Sequence, residues 1–371
     1  MAIRWKPLMM GSLLLASTAI AVMARDGDGD RDDMRPQPYS NHVLVSDGNV
    51  PADFTDKNLV NGWGVAFHPF GPVWVSDNGT GKSTLYDGTG KPQSLVVTIP
   101  GSGGEHSAPT GVVFAGGSDF VVSMTTSGTT TSGAARFIFV TEDGTLAAWA
   151  PNVNPTTAII VPTPATDAVY KGLALSGDGT THLLYATDFH NGRVDVFDGN
   201  FKPVMKPGAF MDPMLPKNFA PFGIQAINGD IYVSYAKKDS PDAEDETAGP
   251  GLGFIDVYSP DGMLLGRFAS RGALNAPWGM ALAPLSFGDF GGALLVGNFG
   301  DGTINAFSPR TGRWLGTLRD VHQRRIKVDG LWGMAFGNGI LAQKTNALYY
   351  AAGPNGEANG AYGVIEPVMR K

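Results

Sequence analysis

Three tryptophans occupy the same place in three copies of one short motif. Trp63 lies in "NGWGVAF" (61–67), Trp278 in "NAPWGMAL" (275–282) and Trp332 in "GLWGMAF" (330–336), each directly before a glycine that enters an apolar strand. Three more segments align on the same glycine: "APTGVVF" (108–114), "VYKGLAL" (169–175) and "APFGIQA" (220–226). They place Thr110, Lys171 and Phe222 at that position. Four aromatic rings, a hydroxyl and an ammonium at one repeated position describe a binding cup. Aromatic faces hold sugar rings, flat apolar ligands or cations. Lys171 would pair with an anionic group, or act as a nucleophile if burial depresses its pKa, with the neighbouring Tyr170 adding a hydroxyl. The same residues also suit a packed plug, because a large aromatic side chain buries ~150–250 Å².

A second set of groups carries a different chemistry. Glu105, His106, Asp188 and His190 would serve a metal-assisted hydrolase or lyase if they converged. The six histidines show no HExxH and no close pair with metal-ligand spacing, so no metal ligand is assigned from spacing. Loops rich in Asp, Asn and Gly hold Asp77, Asn78, Asp188, His190 and Asn298, as ligand contacts or as plain turn residues. The insert "KKDSPDAEDETAGPGLG" (237–253) gathers Asp239, Asp242, Glu244, Asp245 and Glu246. It reads as a solvated acidic loop, a structural calcium site or a lid over the cup. No GxSxG elbow occurs, "GTGKS" (79–83) sits in a hairpin rather than before a helix, and "HQRRIK" (322–327) is a short basic patch. No motif specifies a cofactor.

The elements that must position these groups follow from the repeat. The aligned glycines are residues 64, 111, 172, 223, 279 and 333, at gaps of 47, 61, 51, 56 and 54. Each copy continues into a second strand ("VWVSDN", "FVVSMT", "LLYATDF", "IYVSYAK", "LLVGNF", "LYYAAG") and a third ("STLYDG", "FIFVTEDG", "RVDVFDG", "FIDVYSP", "TINAFSP", "YGVIEP"). Five copies add a fourth. Four short strands per unit at this period predict a propeller blade, so the fold class is an all-β six-bladed β-propeller. The sixth copy lacks its outer strand, and "NHVLVSD" (41–47) supplies it, closing the ring and covering an open edge. First strands line a central channel, which puts the residue before each glycine at the channel mouth.

The unit is similar to blades of the NHL-type six-bladed propellers. More closely, "NGWGVAFHPFGPVWVSDNGTGKSTLYDG", "NAPWGMALAP", "GALLVGNFGDGTINAF" and "DGLWGMAFGNG" resemble a largely uncharacterised family of exported bacterial propeller proteins. The likeness spans nearly all of the chain after its leader. It implies fold and export and no particular activity. Propellers that resemble gluconolactonases and paraoxonases hold a catalytic calcium with Asn and Asp at this pre-glycine position. Calcium takes six to eight oxygen ligands. One hydroxyl, one ammonium and four rings do not offer them, so that type of lactonase is disfavoured.

The chain of 371 residues has 51 Gly, 26 Pro and no Cys, a composition suited to tightly turned β-structure without disulfides. Arg4, Lys6, the apolar run Leu8–Val22 and cleavage after Ala24 read as an export signal over 1–24. The expected location is the periplasm or outside the cell, with no stable membrane insertion after cleavage. Residues 25–38 read as an acidic disordered linker, and 39–371 as the propeller domain. Loss of the two basic leader residues leaves 25 Lys and Arg against 34 Asp and Glu, a net charge of −9. That excludes a general nucleic-acid binder, which needs a basic surface. The expectation is a monomeric binding or scaffold protein for a small molecule or glycan. The alternatives are the hydrolase or lyase above and a propeller that docks a protein partner on its loop face.

Overall fold

The computed structural model of the chain describes residues 36–103, 107–163, 167–177, 182–204 and 207–369. The signal and most of the linker lie outside the described residues. The described residues form seven sheets, six of them blades around one axis and the seventh a two-stranded hairpin; the blade strands pair antiparallel, and Phe54–Thr55 adds a short parallel pair at the edge of blade six. Blade one is Gly62–Phe67, Val73–Asp77, Lys82–Tyr86 and Val97–Thr98, paired in that order. Blades four and five repeat this meander from Phe219–Ile227 and Pro277–Leu282. Blade six starts at Leu331–Phe336, and its third strand Ala361–Pro367 pairs antiparallel with Tyr39–Ser46 from the other end of the chain. Among the described residues, no helix is long and apolar enough to cross a membrane.

The repeat glycines have a common cause. A β-carbon on Gly64 would stand 2.5 Å from the carbonyl oxygen of Thr110. On Gly172 it would meet that of Phe222 at 2.9 Å, on Gly223 that of Trp278 at 2.1 Å, and on Gly279 that of Trp332 at 2.6 Å. On Gly333 it would meet Trp63 at 2.3 Å, and on Gly111 it would meet the Leu173 nitrogen at 2.5 Å. Each inner strand therefore presses its bare glycine on the backbone of the next, and the sixth presses on the first. Only glycine permits so close an approach. The strand register shifts at these glycines, and hydroxyls from second strands take up the freed backbone groups. Thr187 Oγ1 accepts from Gly172 N at 2.7 Å and donates to Phe222 O at 2.7 Å. Ser234 Oγ accepts from Gly223 N at 2.9 Å and donates to Pro277 O at 2.6 Å.

Apolar packing follows the same plan. Six buried clusters each join two neighbouring blades, as where Trp74, Leu85 and Val97 of blade one meet Val112, Phe137 and Phe139 of blade two. A seventh lies on the axis and contains Trp63, Phe222, Trp278 and Trp332.

Two strand assignments need correction. In blade two the strand after Pro109–Phe114 is Phe137–Thr141, not "FVVSMT". Phe137–Thr141 is buried at every position, as a strand covered on both faces must be. Val121–Thr126 buries only Val122, and it pairs with Thr129–Ala134 as a hairpin inserted outside the blade. Blade three has three strands among the described residues, and an isolated bridge between Phe197 and Pro203 stands where a fourth was expected.

Candidate functional site

Four of the six pre-glycine residues, Trp63, Phe222, Trp278 and Trp332, pack together on the axis, with Lys171 beside Trp63, but they do not form an open cup. Trp63, Phe222 and Trp332 are 2%, 0% and 1% exposed, and Trp278 is 8% exposed. Trp63 and Trp332 stack with centroids 3.4 Å apart, and Trp278 stands edge-on to both at 5.9 and 5.8 Å. Phe299 covers the other side of Trp332 at 4.1 Å, while Phe222 and Phe189 extend the cluster. The rings pack on one another and plug the axis, with Trp63 Nε1 and Trp278 Nε1 buried and without a hydrogen-bond partner. They separate two cavities. Below them, a channel of about 570 Å³ is lined by later residues of the inner strands, such as Val65, Val112, Leu173, Met280 and Met334. Above them lies a bowl of about 430 Å³ whose floor is Trp63, Trp332 and Phe299.

The wall of the bowl is acidic. Glu142, Glu244, Asp245, Glu246 and Glu357 line it, with Asn61 and Asn78. Glu142 comes from the turn that follows a blade-two strand, and Glu357 from the blade-six loop before Ala361–Pro367. The other three belong to the acidic insert of blade four, which thereby supplies part of the bowl wall. Asparagines join the walls. Glu357 Oε1 accepts from Trp332 Nε1 at 3.2 Å and from Asn61 Nδ2 at 3.1 Å. Asn61 Nδ2 also reaches Asn78 Oδ1 at 3.2 Å, and Asn78 Nδ2 donates to Glu142 Oε2 at 2.9 Å.

Lys171 is the only cation of this group. It is 1% exposed, with Nζ 2.5 Å from Glu142 Oε1, 2.9 Å from Asp245 Oδ1 and 5.3 Å from the centre of a Trp63 ring. Burial opposes its charge, but Glu142 and Asp245 more than compensate and hold its pKa above the ordinary lysine value. A charged lysine with two carboxylates is neither a nucleophile nor a receptor for an anion. Its one charge leaves the five carboxylates in large excess. Burial pushes Glu246 up to about 7, with Lys171 opposing, and burial also raises Glu357. Lys171 offsets both shifts only in part.

Other sequence candidates lie elsewhere. Thr110 donates to the Tyr170 and Val140 carbonyls at 2.8 and 3.2 Å, stapling blades two and three. Tyr170 is fully buried in the cluster between those blades, with its hydroxyl on Asp195 at 2.8 Å, so it adds nothing to the bowl. Phe222 and Trp278 belong to the plug and not to the bowl lining. Asp188 is buried in its own turn, accepting from Val169 N and Asn191 and facing Arg193 at 3.2 Å. Asn298 holds the equivalent turn of blade five. His190 lines a separate cavity. Glu105 and His106 lie outside the described residues. Among the described residues, no group of three His, Asp or Glu side chains could hold a metal ion, the acidic insert included. Sequence reasoning missed Glu142 and Glu357. Both sit in ordinary turn sequences, "TEDG" and "GPNGEANG", and only the return of each blade to the axis brings them together.

Comparison with known proteins places this architecture. No family model matches the chain. Among solved structures, a streptogramin B lyase superposes with a TM-score of 0.51 at 13% identity, covering 89% of this chain and 97% of that one. A Bacteroides thetaiotaomicron protein of unknown function gives 0.55 at 13% identity over 88% and 76%. The PQQ-bound aldose sugar dehydrogenase of Streptomyces coelicolor gives 0.50 at 15% over 89% and 99%. At such identities the likeness is one of fold. Two proteins of Acanthamoeba polyphaga mimivirus are nearer in sequence. The uncharacterized protein R648 is 34% identical over 302 residues, 79% of this chain and 72% of that protein. The uncharacterized protein L690 is 34% identical over 303 residues, 79% and 78% of the two chains. These relatives are viral, where the sequence resemblance pointed to exported bacterial proteins. By the extent of that match, the chain belongs to the same family as these two mimivirus proteins.

Proposed function

We propose that this propeller is an exported binding protein that takes an organic cation in the axial bowl. Its ligand would be an amine, a quaternary ammonium, an amino sugar or the basic side chain of a partner. The carrying observation is the imbalance of charge over an aromatic floor: five carboxylates, one internal ammonium, and two of the carboxylates, Glu246 and Glu357, pushed toward the neutral form by burial that Lys171 offsets only in part. Lys171 supports the reading, since its ammonium already occupies the arrangement an external cation would use, over Trp63 and between two carboxylates. Export rests on the leader, and the NHL character of the blades on the repeat pattern. The anion-binding cup expected from Lys171 is replaced, because that charge is spent internally.

Thermal shift and calorimetry with choline, spermidine, glucosamine and glucose test the proposal. Cations are expected to raise the Tm and glucose to leave it unchanged, and Glu142→Gln with Glu357→Gln should remove the response. A response to glucose or to anions alone, or one untouched by the double substitution, would overturn it.

A further inference from the structure

A second cavity of about 390 Å³ lies between the 188–193 turn of blade three and the root of the acidic insert. It is lined by His190, Asn191, Lys217, Phe219, Ala220, Lys238 and Pro241 among others. Its chemistry is opposite to that of the bowl. Lys238 is 8% exposed, and its Nζ donates to two carbonyl oxygens, His190 O at 2.7 Å and Pro241 O at 2.5 Å. It stands 5.8 Å from the centre of the Phe189 ring. Among the described residues no carboxylate pairs with it. Asp239, on the same wall, is turned to Lys237 at 3.6 Å. Asp242 and Asp188 act on Lys238 only from a distance, and burial keeps its pKa below the usual lysine value. An ammonium has three donors, so one hydrogen is unused after the two carbonyls. A shielded cation held by neutral groups alone is costly. His190 adds an Nδ1 that is closed to solvent and has no partner. Lys217 supplies a further cation on the exposed rim. Phe219, Ala220 and Pro241 give the wall an apolar stretch beside Asn191, Asn218 and Ser240.

We propose that this cavity is a second site, independent of the axial bowl, for a small organic carboxylate. Its oxygens take the unused donors of Lys238, Lys217 and His190, and its hydrocarbon body lies against Phe219, Ala220 and Pro241. A buried cation without a counter-ion beside an apolar wall selects an anion that carries its own apolar surface. The acidic surroundings exclude multiply charged anions by repulsion, which sets a monocarboxylate above inorganic phosphate.

The test is calorimetric titration of the whole secreted chain with benzoate and, separately, with inorganic phosphate. Benzoate is expected to bind, and both Lys238→Met and Lys217→Ala to weaken it by ~10-fold or more. Lys217 is exposed, so its substitution leaves the fold intact even if Lys238→Met does not. The imidazole NMR signal of His190 should move on benzoate addition. Glu142→Gln should leave benzoate binding unchanged, which separates this site from the bowl. Absence of benzoate binding, indifference to both lysine substitutions, or phosphate binding as tight as benzoate would overturn the proposal.

Discussion

Glu246→Gln tests the charge imbalance of the bowl directly. Burial holds the Glu246 carboxyl near 7 against an ordinary 4.5, so the fold favours its protonated form. Because the folded pKa is raised, the side chain is harmless below pH 4.5. Stability is lost as pH rises from there through 7, and the full cost remains above it. A shift of about 2.5 units at ~1.36 kcal/mol per unit is about 3.4 kcal/mol. Glu246 is only half-buried, so solvent screening reduces this to about 1.5–3 kcal/mol. Glutamine keeps the shape and cannot ionise. The variant should match the parent at pH 4.5 and exceed it at pH 8.5 by that amount, a Tm gain of roughly 2–4 °C for a domain of this length. Glu357 and Glu246 repel one another, so part of the gain at high pH comes from relief of that repulsion. The assay is calorimetric Tm against pH for the pair, with choline titrations at both pH values. Cation affinity should rise through pH 7 in the parent and rise less in the variant. A variant that is less stable at every pH, or a difference that does not change with pH, would refute the reasoning.

Further outcomes follow from other parts of the structure. Lys171→Met leaves Glu142 and Asp245 facing each other without a cation. It should destabilise by about 1–3 kcal/mol, loosen the 237–253 insert to limited proteolysis, and regain stability with millimolar methylammonium. Trp332→Ala removes the ring that touches Trp63, Phe222, Trp278 and Phe299, and urea unfolding should register a loss of about 3–5 kcal/mol. Arg267 bonds Asp256 and Asp212, and burial already raises Asp256 to about 6. Arg267→Ala should therefore cost about 3 kcal/mol at pH 8 and clearly less at pH 5, where Asp256 takes up a proton, as urea midpoints at the two pH values will show. Removal of residues 39–46 uncovers the Ala361–Pro367 edge and the Tyr39 side chain's place in the core between blades five and six. The truncated chain should aggregate, as light scattering will show.

Much of the fold was legible because its cause is local and repeated. The glycine in each copy marks a close approach of two backbones, and the same collision recurs six times around the axis. Alternating apolar runs located most strands. Blade three lacks its expected fourth strand among the described residues, and in blade two "FVVSMT" and "FIFVT" both have strand composition and only burial on both faces separates them. The repeat alone pointed to Trp63, Phe222, Trp278 and Trp332, the four pre-glycine residues that pack on the axis.

The sequence by itself determined the number of blades, the identity of the residues at the axis and the acidic character of the insert. Each depends on a pattern within a few neighbouring positions. Whether the axial rings were cup or plug was decided only by tertiary packing. Trp63 and Trp332 are 269 residues apart and stack face to face, so the rings fill the axis and form the floor of the bowl instead of the walls of an open cup. The bowl was decided in the same way. Glu142, Asp245 and Glu357 come from three blades, and nothing near them in the chain says that they surround one buried ammonium. Charges interact through space, so the sign of the site emerged only when the blades brought those carboxylates around Lys171.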